Sequence, residues 1–360
     1  MKCVRMCGDG NQIIQTVLKS NLKERQLMKV LFIGGTGIIS TAVSQLAVDK
    51  GIDLYLFNRG INEYFFPKGA KLLKGDINNF DKMKSLLADH QFDVVVDWIA
   101  FTPSDIERDI KLFKSNTKQF IFISSASVYQ KPLEHYLITE STPAVNPYWQ
   151  YSRDKIACEE LLAKEFSLNG FPHTIVRPSF TYGVTLIPAI VGNTMKPMTL
   201  VNRIRSGKKV IVPGDGTSLW VMTHNTDFAK GFVGLMGKDE TIGKTYHITS
   251  DEVLTWNQII NTIGEVAGAK PNIIHIPSDL INHYAPEIGE GLLGDKSTSV
   301  VFDNSKIKNL VPEFKCTVSY KEGITRSLNW IEKHEEYCDI DQKTNATIDK
   351  IISKYESAFD

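Results

Sequence analysis

Lys29-Val30-Leu31-Phe32-Ile33 runs straight into Gly34-Gly35-Thr36-Gly37-Ile38-Ile39-Ser40. A short β-rich apolar run, a glycine turn and a helical pattern reaching about Lys50 predict strand, turn and helix in that order. Gly34 permits the tight turn, and Gly37 has no side chain to hold a phosphate away from the backbone. The helix that starts there offers unpaired N–H groups and the positive end of its dipole. Ser40 stands where the usual fingerprint has a third glycine, and it is small enough for close packing of helix on strand. The pattern assigns Gly34, Thr36, Gly37 and Ile38 to the pyrophosphate of a dinucleotide cofactor.

Outward from that turn the first half alternates strand and helix. Strands are predicted over 53–57, 71–74, 92–97, 120–124 and 174–177, with helices near 80–88, after Pro103 and over 148–168. Continuous apolar strands separated by helices imply a parallel sheet covered on both faces. The fold class is therefore α/β, a doubly wound parallel sheet of the Rossmann type with a smaller C-terminal substrate-binding lobe. The cofactor domain is expected over 28–180, completed by about 224–250, where the chain returns to the sheet. The lobe takes 181–223 and 251–335, and a charged tail, 336–360, reads as peripheral. Residues 1–27 carry no signal peptide, and Met28 offers a second start directly before the first strand, so 1–27 reads as a dispensable extension.

The second strand ends in Asn58-Arg59 with no carboxylate. A carboxylate there would bond the ribose hydroxyls of NAD and repel a 2′-phosphate, whereas Arg59 can pair with that phosphate. The cofactor is read as NADP or NAD, with the balance toward NADP. Asp76, followed by Ile77, is placed to accept the adenine amine after the third strand, and Ala100 to let the adenosine ribose approach after the fourth.

Tyr151 and Lys155 stand at i and i+4 in the long helix, on one face. A free phenol titrates near 10 and is a poor base at neutral pH. A neighbouring ammonium stabilises the phenolate and brings it toward the working range. At the end of the fifth strand Ser125 is chosen to hydrogen-bond the reacting oxygen, with Ser124 and Ser127 as rivals.

The 360 residues carry 41 basic and 41 acidic side chains, giving no global positive field for nucleic acid or an anionic membrane. No apolar run approaches the roughly 18 residues of a membrane span. Five scattered cysteines complete no metal site, and their sparse, odd number fits free thiols in a reducing cytosol. A cytoplasmic location is expected, with no metal.

Taken together these motifs resemble the extended short-chain dehydrogenase/reductases, the NAD-dependent epimerase/dehydratase group, from about Lys29 to Trp330. Further elements of the likeness are Val176-Arg177-Pro178 with Tyr182-Gly183, Gly214-Asp215-Gly216-Thr217 leading to His224 and Asp227, and Lys244-Thr245-Tyr246-His247-Ile248. The resemblance implies Tyr151 as catalytic base, Lys155 as its partner, also bonding the nicotinamide ribose, and Ser125 as hydroxyl helper. Pro178 and Ser179 would lie beside the nicotinamide. It implies hydride transfer at a carbinol or carbonyl carbon of a small-molecule substrate, a sugar nucleotide or related polyol, and a homodimer paired through the helix of Tyr151. A simple NADP-dependent carbonyl reductase is the alternative, and the group also includes chloroplast RNA-binding relatives. One departure concerns the substrate: where sugar-nucleotide enzymes carry an arginine after Gly-Asp-Gly, this chain has Trp220, leaving Arg203, Arg205 or Lys208 to compensate.

Overall fold

The computed structural model describes residues 27–359, so the N-terminal extension, apart from Leu27, lies outside the described residues. The first half supplies strands β1 (Lys29–Ile33), β2 (Asp53–Asn58), β3 (Lys71–Lys74), β4 (Phe92–Asp97), β5 (Thr117–Ile123), β6 (Leu137–Ile138) and β7 (His173–Pro178). The second supplies β8 (Phe180–Tyr182), β9 (Lys209–Pro213), β10 (Leu219–His224), β11 (Lys244–Ile248), β12 (Val253–Thr255), β13 (Asn272–Ile276) and β14 (Val301–Phe302). Seven of them form one sheet in the order β3-β2-β1-β4-β5-β7-β11, and every pairing in it is parallel. Strand order reverses between β1 and β4, which opens a crevice at their carboxyl ends.

Alternation along β1 shows why both faces must be covered. Val30 and Phe32 join Val43 and Ala47 of α1 (Ser40–Asp49) and Phe228 and Phe232 of the helix Asn225–Leu235 on one side. Leu31 and Ile33 point the other way. They meet Met83 of α2 (Phe80–Leu87), Ile106 of α3 (Pro103–Phe113), and Cys158 and Leu162 of α4 (Gln150–Asn169). Period-2 side-chain alternation thus delivers one apolar set to each helical layer.

Strand β5 begins at Thr117, earlier than its apolar run suggests. The polar Gln119 is tolerated inside because its amide donates to the hydroxyls of Thr174 (3.0 Å) and Thr241 (2.7 Å) and its carbonyl accepts from Gly237 N–H. The returning strand is β11, at the edge beside β7.

The second half carries three small sheets, β12-β10-β8, β13-β9 and β14-β6, around a core of its own. Here one expectation is corrected. The final segment is not peripheral: Ile348, Ile351 and Ile352 on the helix Gln342–Glu356 are buried in that core, and Arg203 reaches across to Asn345 and Asp349. Charge on the outer face of this helix masked an apolar i, i+3, i+4 stripe.

Candidate active site

The glycine turn lies at the carboxyl end of β1. Gly34 and Gly35 both have φ of +94°, a conformation closed to most side chains. Gly35 is the more tightly held, since a Cβ there would lie 2.7 Å from Leu56 Cδ2. A Cβ at Gly37 would meet only Ser40 Oγ, at 3.5 Å, leaving its outer side clear. Ser40 also accepts the Gly37 N–H at 2.9 Å, so it orders the turn as well as fitting the packing. Helix α1 starts with no side-chain cap and no acidic residue in its first turn. Such a start has N–H groups and dipole available to an anion.

Asn225 braces the turn from the other half of the chain, its amide donating to the Ile38 carbonyl at 2.7 Å. The helix Asn225–Leu235 is capped by Nδ1 of His224, which accepts from Thr226 N–H. Asp227 instead takes the N–H groups of Thr317 and Val318.

A cleft of about 760 Å³ opens over the turn. Its walls include Gly34, Thr36, Gly37, Ile38, Asn58, Arg59, Asp76 and Ile77, all anticipated from sequence. Asn58 uses its side-chain oxygen on the Gly60 N–H (2.8 Å), which leaves Arg59 exposed at the rim. Asp76 accepts the Asn78 N–H through one carboxylate oxygen. Ala100 does not reach the cleft. It is buried in the core on the α3 side, and Trp98 and Ile99 take the wall instead. The reason is the turn after β4: Asp97 accepts the Ile99 N–H at 2.6 Å and is held by Arg108 at 2.8 Å, which swings Ala100 inward. Gly35, Asn62, Trp98 and Ile99 were missed. Only the double glycine carried a local signal, because Asn62 reaches the site through a non-local bond to the Thr36 carbonyl.

A second cavity, of about 370 Å³, holds Tyr151, Lys155, Ser125, Pro178 and Ser179. Ile39, Trp98, Ile123 and Thr181 line both spaces, so the two share one wall. Lys155 is buried and donates to the carbonyls of Ala100 and Ile123, each at 2.7 Å. Its ammonium also lies 4.6 Å and 4.8 Å from the ring centres of Phe101 and Phe122. Burial pushes its pKa down to about 8.

Tyr151 departs from expectation. The neighbouring ammonium was to bring its phenol toward neutrality, yet burial pushes it up to about 12, with the Ser125 hydroxyl pulling the other way. Lys155 Nζ stands 5.8 Å from the centre of the Tyr151 ring and commits two of its N–H groups to carbonyls, too remote to offset desolvation.

The three serines separate by their partners. Ser124 donates to Glu159, which forms a buried pair with Arg177. Ser127 is buried and takes a hydrogen bond from Ser152 at 2.8 Å. Ser125 is the least buried of the three and adjoins Tyr151. Asp295 and Lys296, from the far end of the chain, complete the wall, and no local pattern announced them. Among the described residues no group of three or more side chains could hold a metal ion, and no helix is long and apolar enough to cross a membrane.

The family model for the NAD dependent epimerase/dehydratase family matches residues 30–249. The chain belongs to that family. This agrees with the resemblance drawn from the motifs. Among similar proteins, the chloroplast stem-loop binding protein of 41 kDa b from Arabidopsis thaliana is 26% identical over 263 residues, covering 69% of this chain and 65% of that protein. A UDP-glucose 4-epimerase from Lactobacillus helveticus is 28% identical over 209 residues, covering 52% of this chain and 62% of the relative. The chain thus spans slightly less than two thirds of the length of either. Among solved structures, epimerase Mth375 from Methanothermobacter thermautotrophicus superposes with a TM-score of 0.70 at 17% identity, over 87% of this chain and 94% of the other. That likeness establishes the epimerase/dehydratase fold. With the uncapped helix start and the cleared glycine turn, the family supports NAD(P) as the group the cleft fits.

Proposed function

We propose that this chain is an NAD(P)-dependent epimerase, dehydratase or reductase acting at a carbinol or carbonyl carbon of a sugar nucleotide or related polyol. The observation that supports the reading is the wall shared by the cleft over the glycine turn and the cavity lined by Tyr151, Ser125 and Lys155. A nicotinamide bound there would supply hydride-transfer chemistry. Ser125 positions the reacting oxygen by a hydrogen bond. Tyr151, held protonated by burial, is equipped to donate a proton to an oxygen that gains charge, and it takes the proton back in the reverse sense. Lys155, fixed by two carbonyls, ties the helix α4 to the ends of β4 and β5 and holds the phenol in place.

Measured at 340 nm, net loss of NADPH with product would identify a reductase. Product without net cofactor consumption would identify an epimerase or dehydratase. Absence of cofactor binding in a titration with NADP and NAD would contradict the proposal as a whole.

The family is described as NAD dependent, yet Arg59 and the missing carboxylate at the end of β2 favour NADP. Arg59→Ala is expected to weaken NADP binding by about 10–100-fold, the worth of a charge-assisted contact to a phosphate. NAD should change less than about threefold. Equal losses for both cofactors would remove the preference. The stem-loop binding relative raises an RNA-binding reading, but the balance of 41 basic against 41 acidic residues offers no field for a polyanion.

A further inference from the structure

We infer that the cavity beside Tyr151 is built for an uncharged, polyhydroxylated ring and not for a ligand that carries a diphosphate. The inference rests on reading this cavity as the substrate site, and it narrows the substrate class.

Size is the first argument. About 370 Å³ is the share of liquid held by roughly a dozen water molecules, ample for a single hexose ring with bound water. A nucleoside diphosphate sugar is far larger, and its diphosphate and base would have to lie beyond these walls.

Charge is the second. None of the three cations that could compensate for Trp220 lines the cavity. Arg203 is buried and held by the Lys209 carbonyl, Asn345 and Asp349. Arg205 bonds the Ala267 carbonyl and pairs with Glu332, and Lys208 lies 4.0 Å from Asp349. Trp220 itself is buried and stacked on Trp256 at 5.1 Å between ring centres. Of the charged residues in the wall, Lys155 is committed to carbonyls, and Lys296 donates to the Gly291 carbonyl at 3.5 Å and lies 5.2 Å from the ring centre of Trp149. The Asp295 carboxylate faces any incoming phosphate with like charge.

Asp295 is also the positive argument. Its oxygens stand 3.9 Å from the buried Lys131 ammonium and 3.7 Å from Lys296, beyond hydrogen-bond length. Its lone pairs therefore stay open to donors from the cavity. Sugar hydroxyls are such donors, and the aromatic faces of Trp149 and Phe180 suit the C–H face of the ring. A largely apolar aromatic alcohol would offer the carboxylate one hydroxyl at most and cover the rest of it at a desolvation cost.

The test is titration of the full-length protein, with NADPH present, followed by tryptophan fluorescence and calorimetry. Probes are D-glucose, myo-inositol, UDP, UDP-glucose and cinnamyl alcohol. Saturable binding of a neutral ring is expected, with UDP-glucose no more than about threefold tighter and UDP unable to displace it. Asp295→Asn, checked by its melting curve to be folded, should weaken the neutral ring about tenfold or more. Overturning results are UDP or UDP-glucose binding at least about tenfold tighter than any neutral ring, cinnamyl alcohol outcompeting the sugars, no neutral ring binding at all, or wild-type affinity in Asp295→Asn. Binding is read without turnover, so the two proposals fail separately. A ring that binds but never exchanges hydride would sink the enzyme reading alone, and Tyr151-dependent turnover of UDP-glucose would sink this inference alone.

Discussion

Tyr151→Phe is expected to lower kcat by about 10²–10⁴-fold, the usual worth of a positioned proton donor, with NADPH affinity unchanged within about threefold. The two halves of this result have separate causes. The substitution removes one hydroxyl, the group beside Ser125 that burial holds protonated. The ring remains, with its packing on Trp149 at 4.8 Å and Phe101 at 6.4 Å between centres. Tyr151 belongs to the inner cavity and not to the walls of the cofactor cleft, so cofactor binding has no reason to suffer. Steady-state kinetics beside a fluorescence titration checks both halves. Near-normal kcat would remove Tyr151 from the chemistry, and a matching loss of NADPH affinity would make its role structural.

The largest stability effect is expected at Glu159. Its carboxylate takes the Ser124 hydroxyl and two N–H groups of Arg177 and is almost wholly buried, side chains being 9% and 7% exposed for Glu159 and Arg177. Glu159→Ala leaves a guanidinium in the interior without its counter-charge. Breaking such a pair from one side costs about 3–5 kcal/mol, far more than an exposed pair such as Lys321–Glu265, worth about 0–1 kcal/mol. The stacked contact of Arg177 with Tyr129, 4.6 Å from guanidinium carbon to ring centre, does not replace the lost charge. Urea denaturation should show a lower midpoint with an unchanged slope. A loss below about 1 kcal/mol would mean that water or another anion reaches Arg177 once the glutamate is gone.

How far the sequence revealed this molecule depends on whether the signal was local. Strands β1 and β4 fall where the apolar runs place them, because a strand buried on both faces must be largely apolar, and β3 keeps its expected bounds although it is mostly exposed at the sheet edge. The glycine turn and the i, i+4 pair of Tyr151 and Lys155 were legible for a similar reason, since each compresses its geometry into a few consecutive residues. Ala100 was misplaced, with its neighbours Trp98 and Ile99 taking the wall, because the turn after β4 is set by Asp97 and by Arg108 from α3, which no local pattern discloses. Asp295 and Asn225 reach the site through tertiary packing alone. The stripe Ile348, Ile351 and Ile352 was present in the sequence, but surrounding charge hid it. The protonation of Tyr151 could not be read from spacing, because it depends on what Lys155 bonds and how deeply the phenol is buried.

The central claim is that one continuous crevice seats a dinucleotide against Tyr151. A diffraction structure of crystals grown with NADP tests it most directly. The pyrophosphate should lie on the N–H groups of the turn at 34–40, the 2′-phosphate against Arg59, and the nicotinamide ring at the wall shared by Ile123 and Thr181, beside the Tyr151 hydroxyl. A pyrophosphate bound elsewhere, or a nicotinamide directed away from Tyr151, would contradict it.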